Sequence, residues 1–256
     1  SVSRGLGDVY KRQSLFILKQ KTIFVCQSNY IPWKGYFDAI NMADEFVIYD
    51  ECQYTKNDWR NRNKIKTPNG TLWLSVPVRH NKLSQRILDT QISNTHWQRK
   101  HWQSLVQNYR KTAYFEQYYS IFEKLYCQKK WFSLSELNFT FLKTICQILD
   151  IKTPITYSHH YDLKGNKSER LVDLCCQLQA TIYLTGPTAK GYLQEKGFEA
   201  VDIEVKYMNY ENYQMYRQQF FPFKHHVSVL DLIFNEGENA QKYMKSFSYE
   251  KMSLYS

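Results

Sequence analysis

One stretch constrains this chain's fold more than any other: an apolar run, a polar aromatic turn, a helical pattern and a second apolar run within about thirty residues. Thr22-Ile23-Phe24-Val25-Cys26 is continuous, apolar and rich in β-preferring side chains, the mark of a strand buried on both faces. Gln27-Ser28-Asn29-Tyr30-Ile31-Pro32-Trp33-Lys34-Gly35-Tyr36-Phe37 follows, and Tyr36, Phe37, Ile40 and Ala43 then recur at helical spacing. Glu45-Phe46-Val47-Ile48-Tyr49 reads as the next strand. Two strands joined through a helix predict a parallel pair with a crossover, and open α/β sheets build their sites where such strands end. The turn is therefore either a ligand-facing site or a core-packing turn. Gln27 and Asn29 favour the former, because buried amides need partners of their own.

Further along, alternation resumes after a long interval. A polar, basic segment runs from Lys56 to Lys66 and ends in the turn Pro68-Asn69-Gly70. Leu72 to Val78 predicts a strand, which Pro77 confines to an edge or an end. Residues from about 97 to 149 predict an aromatic-rich helical insertion, carrying Trp97, Trp102, Tyr109, Phe115, Phe122, Tyr126, Trp131 and Phe141 near helical spacing. Strands are expected at 155–158, 181–184 and 201–205. A helix is expected over 167–179, and a short one from Pro187 to Gly197. The expected fold class is α/β: a mostly parallel sheet with crossover helices and the central helical insertion, in one domain over 14–256. Residues 1–13 resemble a translated sequencing adapter and are set aside as non-native.

Composition narrows the setting. The net charge of +10 favours anionic company such as phosphate or nucleotides. The basic residues are spread rather than clustered, and no nucleic-acid signature appears, so nucleic acid is not the expected partner. Six cysteines without a C-x-x-C pair suit reduced thiols in a cytoplasmic protein. No apolar run approaches the ~18 residues of a membrane span. His159-His160, His225-His226, His96 and His101 give no metal spacing, and no metal is expected. Neither a cofactor nor an oligomeric state follows from these residues.

Several groups carry candidate chemistry. Asp50 ends the second strand beside the turn and is the expected general base, with Gln27 and Asn29 as catalytic partners; Asp50 as a plain backbone acceptor is the alternative. Tyr30, Trp33, Tyr36 and Gln53 are expected to line the substrate site. So is the mixed segment Trp59, Arg60, Asn61, Arg62, Asn63 and Lys64, whose guanidinium forks match carboxylate or phosphate and whose indole suits a sugar or base. In Gly165-Asn166-Lys167-Ser168-Glu169-Arg170, Asn166 is expected to cap a helix and Glu169 to bond back to it. Lys167, Ser168 and Arg170 then become candidate phosphate ligands, with Gly186 as a second close-approach point.

The run from Gln27 to Phe37, with Phe46 to Asp50, Gln53-Tyr54, Arg60 to Lys66 and Trp73 to Val78, resembles the WbqC-like protein family. Lys167-Ser168, Tyr183 to Pro187, Tyr192-Leu193, Pro222-Phe223 and Ser228 to Asp231 extend the resemblance over roughly 20–240. It implies a transferase of bacterial O-antigen or surface-polysaccharide biosynthesis, acting on a small-molecule or nucleotide-linked donor, with aminoacyl (glycine) transfer as one form. A non-catalytic sugar-nucleotide-binding or scaffold protein of the same pathway is the alternative. Many members carry His-Gln-Pro where this chain has Cys26-Gln27-Ser28, so no mechanism needing an imidazole at position 26 carries over. The layout also looks like nucleotidyltransferases of the HIGH-motif type, by fold analogy alone.

Overall fold

The computed structural model describes residues 20–248; the segment 1–13 lies outside them. Five parallel strands form the main sheet: β1 (Thr22–Cys26), β2 (Glu45–Ile48), β5 (Ile155–Tyr157), β6 (Ile182–Thr185) and β7 (Glu204–Tyr207), in the order β5-β2-β1-β6-β7. α1 (Lys34–Met42) crosses from β1 to β2, which register as Phe24 with Phe46 and Val25 with Val47. On its other side β1 registers Ile23 with Tyr183.

The continuity of the apolar runs has a direct cause: this sheet is buried on both faces. Ile23, Val25, Val47 and Tyr183 point into one core with Leu174, Cys175 and Phe198, from α5 (Ser168–Gln177) and α6 (Lys196–Glu199). Phe24, Phe46, Ile48 and Leu184 point into the other, larger core, which holds α1 and the helical insertion. Alternate residues thus serve opposite cores, so the central strands read as nearly continuous apolar runs.

The insertion is α2 (His96–Tyr109), α3 (Phe115–Glu123) running into a π-helical turn over Lys124–Gln128, and α4 (Leu134–Ile148). Ser133 caps α4, its hydroxyl accepting from Glu136 N. α7 (Val229–Glu236), capped by Ser228, closes the larger core with Leu230, Ile233 and Phe234. Asp38 on α1, itself fully buried, accepts from Tyr213 Oη (2.6 Å), Ser246 N (2.9 Å) and Lys245 N (3.2 Å), latching the last described segment onto the first helix.

Two sequence expectations need correction. The basic segment 56–66, read as irregular, contains β3 (Arg62–Thr67), which pairs antiparallel with β4 (Gly70–Ser75) in a separate two-stranded sheet. Its alternation is hidden by Asn63 standing in an inward position, where its amide donates to Tyr30 O and Ile31 O; the next inward residue, Ile65, is apolar and buried. The hairpin turns at Gly70 with φ near +113°, open to glycine at little cost, and β4 stops before Pro77. The second concerns the helix expected from Pro187 to Gly197: it is a 3-10 turn over Pro187–Gly191, and Gly197 lies within α6 rather than ending it.

A buried polar cluster sits within the insertion. Tyr30 Oη lies 2.9 Å from His101 Nδ1 and 2.6 Å from Tyr126 Oη. Burial pushes the imidazole down to about 4. Unfolded chain takes up that proton near pH 6.5 while the folded one refuses it until about 4, so stability falls as pH drops through this window. In urea titrations the wild type is expected to lose about 2 kcal/mol more than His101→Gln across that window. Equal losses would show that the ring titrates freely.

Candidate functional site

Ser28, just past the carboxyl end of β1, is tied to Asp50. Ser28 N and Ser28 Oγ donate to its two oxygens at 2.8 and 2.7 Å, and Ser135 Oγ on α4 adds a third bond at 2.5 Å. Asn138, one turn further along α4, donates to Ser28 Oγ (3.0 Å) and to Arg60 O (2.9 Å). Tyr36, buried beneath, donates to Gln27 O at 2.8 Å. Burial raises the Asp50 carboxyl, and the Ser135 and Ser28 bonds oppose the rise. The carboxylate is 1 % exposed, so it fixes the turn, the end of β2 and α4 in one arrangement.

Above this knot lies a more open rim. Arg60 donates to Asn29 Oδ1 and stands 3.7 Å from Asp58, with 14 % of its side chain exposed. Gln27 and Asn29 are half-buried beside it. Burial raises both Cys26 and Cys52 thiols more than the Arg60 cation lowers them, so both stay neutral at pH 7. Tyr192 is 71 % exposed, its phenol within electrostatic reach of both thiols and of Arg60. A Cβ built on Gly186, after β6, meets nothing within 4 Å, so the rim is open there.

On the β2 and β5 side, Arg170 pairs with Glu51 at 2.8 Å and donates to Leu163 O, and Ser158 Oγ donates to Glu51. The helix start differs from the expected cap. Lys167, not Asn166, occupies the cap position with φ near +47°, while Glu169 does bond back, accepting from Asn166 N at 3.2 Å. Ser168 is buried, its hydroxyl accepting from Gln194 N. Lys167 is exposed.

The other expected residues lie elsewhere. Tyr30 is in the core with His101; Asn61 and Asn63 are buried and donate to backbone carbonyls, Asn61 to Val76 O. Gln53 is exposed in a bridge to Arg86. Arg62 and Lys64 lie on the Trp73 face of the hairpin, 4.2 and 4.8 Å from that ring centre, with the Trp59 ring tilted against it at 5.4 Å. Trp33 packs on Tyr210, Tyr213 and His226. The structure thus gathers Gln27, Asn29, Arg60 and Asp50, and separates Arg62, Lys64 and Trp59 from them. Sequence reasoning missed Cys52, Ser135, Asn138, Tyr192 and Tyr210. For two of them a signal existed: Ser135 and Asn138 interrupt the buried stripe of Leu134, Leu137 and Phe141, and polar groups there need partners.

Among the described residues no group of three or more His, Cys, Asp or Glu is placed to hold a metal ion, and no helix is long and apolar enough to cross a membrane. The profile of the WbqC-like protein family matches residues 27–243. A Mycobacterium tuberculosis (strain ATCC 25618 / H37Rv) protein described as "Uncharacterized protein Rv1507c" is 43% identical over 226 residues, covering 88% of this chain and 98% of that one. No solved structure matches the chain. With a profile spanning most of the described residues and a relative matched over nearly its whole length, the chain belongs to the WbqC-like protein family.

Proposed function

We propose that the rim between β1, β2 and β6 is the active site of a transferase acting on a phosphate-activated, nucleotide-linked donor in bacterial surface-polysaccharide assembly. Aminoacyl (glycine) transfer is one reaction of this kind. The observation that carries the reading is Arg60: a partly exposed guanidinium, aimed by Asn29 and Asp58, at the carboxyl ends of parallel strands. Open α/β sheets take their ligands there, and a forked cation suits phosphate. Arg60, paired only loosely with Asp58 at 3.7 Å, binds the donor phosphate, Gln27 and Asn29 orient the reacting group, and Asp50 holds the turn that carries them. Arg170 meets the donor as a neutralised pair with Glu51, so it contributes shape and hydrogen bonds more than charge. Six free cysteines suit the cytoplasm, where this reading places the protein.

Arg60→Ala is expected to weaken donor binding at least about tenfold and to cut turnover accordingly, with Arg60→Lys recovering part of the loss, since a bidentate contact is replaced by a point charge. Titration calorimetry with sugar nucleotides checks it; wild-type affinity in Arg60→Ala would end the reading.

A second reading, binding without turnover, is favoured by the Asp50 oxygens being occupied and both rim thiols being neutral. Product analysis on sugar nucleotides and aminoacyl donors separates the two. Thermal stabilisation without product supports the binding protein.

A further inference from the structure

Near the rim lies a cavity that the site above does not use. It has a volume of about 340 Å³ and is walled by Trp33, Tyr210, Asn212, Tyr213, His225 and His226. This is the low end of the range for small-molecule pockets. The Trp33 indole is its hub: ring centres of Tyr210, Tyr213 and His226 lie 5.1, 5.5 and 5.0 Å from it, the two tyrosines edge-on. Gly35 explains how the indole is held. A Cβ there would sit 2.3 Å from Trp33 Cζ2, so the ring lies flat against the first turn of α1 only because residue 35 has no side chain. His225 Nδ1, on the cavity wall, is buried without a hydrogen-bond partner. Such an atom is a group still to be satisfied.

Three aromatic walls ordinarily suggest a cationic ligand. Here that reading fails on charge. Lys34, 2 % exposed, donates to Gln214 O at 3.1 Å and stands 4.7 Å over the Tyr213 ring; Lys245 stands 4.9 Å over the same ring. Asp38, which accepts from Tyr213 Oη and Lys245 N, offsets one of these two charges, so a further cation meets a net positive setting and a flat ring carrying an anion is attracted. The cavity adjoins the rim: Trp33 is four residues beyond Asn29, and Tyr210, just past β7, is within electrostatic reach of Cys26.

We propose that this cavity holds the heteroaromatic base of a nucleotide, stacked on Trp33, flanked at its edge by Tyr210 and hydrogen-bonded by His225 and Asn212, with its phosphates running to Arg60. Only the direction of the phosphates rests on the function proposed above; the base site stands on its own walls.

Calorimetry on the full chain with uridine monophosphate, adenosine monophosphate, ribose 5-phosphate and choline tests it. At least one nucleotide is expected to bind about tenfold or more tighter than ribose 5-phosphate, as base–aromatic stacking allows, with choline not binding. Trp33→Ala should erase that preference and leave ribose 5-phosphate unchanged, while Arg60→Ala should weaken both. If Trp33→Ala does not fold, Gly35→Ala, which displaces the indole by crowding, takes its place. A nucleotide bound no better than ribose 5-phosphate, or choline bound in its stead, overturns the base site. Wild-type nucleotide affinity in Trp33→Ala alongside loss in Arg60→Ala would sink the base site and spare the rim. The converse pair of results would spare the base site and sink the rim.

Discussion

Asp50→Ala is expected to lower the unfolding free energy by about 2–4 kcal/mol, because it strands three buried donors at once. Ser28 N, Ser28 Oγ and Ser135 Oγ all end on this carboxylate, which is 1 % exposed, so no water takes its place readily. The loss spreads beyond the pair, since Asn138 bridges Ser28 to the backbone of Arg60. Asp50→Asn should cost less, about 1 kcal/mol, because its carbonyl still accepts from Ser28 N and the hydroxyls can turn to accept from its amide. It also removes a charge that burial disfavours, as the raised carboxyl indicates. Urea denaturation of both variants gives the comparison. Unfolding midpoints indistinguishable from wild type would show that Asp50 holds nothing together.

A comparable loss, about 3–5 kcal/mol, is expected for Asp231→Ala on α7. Its carboxylate is fully buried and accepts from Tyr216 Oη (2.7 Å), Tyr109 Oη (2.9 Å) and Gln218 Nε2 (2.9 Å). The nearby Lys66 ammonium on β3 is buried without any hydrogen-bond partner, and Asp231 supplies the opposing charge that offsets its burial. Removing the acid therefore leaves an uncompensated cation in the core as well as three idle donors. Combining Asp231→Ala with Lys66→Met should be less damaging than the sum of the two single changes, because the methionine has no charge to leave behind. Strict additivity in denaturation would mean the two groups do not interact.

How far these features could be read from residues alone depends on the distance over which they are built. β1, α1 and β2 were legible because a nearly unbroken apolar run and a helical spacing are local signals, and burial on both faces keeps those runs almost wholly apolar. β3 was not, because Arg62, Lys64 and Asn63 make a paired strand look like a solvated loop. The same alternation explains the split site. Arg60 precedes the strand and turns to Asn29, whereas Arg62 and Lys64 share the outward face with Trp73. The strand ends put Asp50 beside the first turn, but its partners are Ser28 and, from eighty-five positions away, Ser135. Trp33 was visible as a candidate, while its companions Tyr210 and Tyr213 meet it only once the last strand has docked.

The latch on Asp38 has a consequence for how the chain is made. On a ribosome, α1 emerges early, yet the three donors that satisfy its carboxylate arrive some two hundred residues later. Until then the nascent first unit carries an unmet acid on a surface destined for the interior. Completion of this packing, and with it the aromatic cavity shared by residues 33 and 210–226, must wait until residues 210–246 have been made.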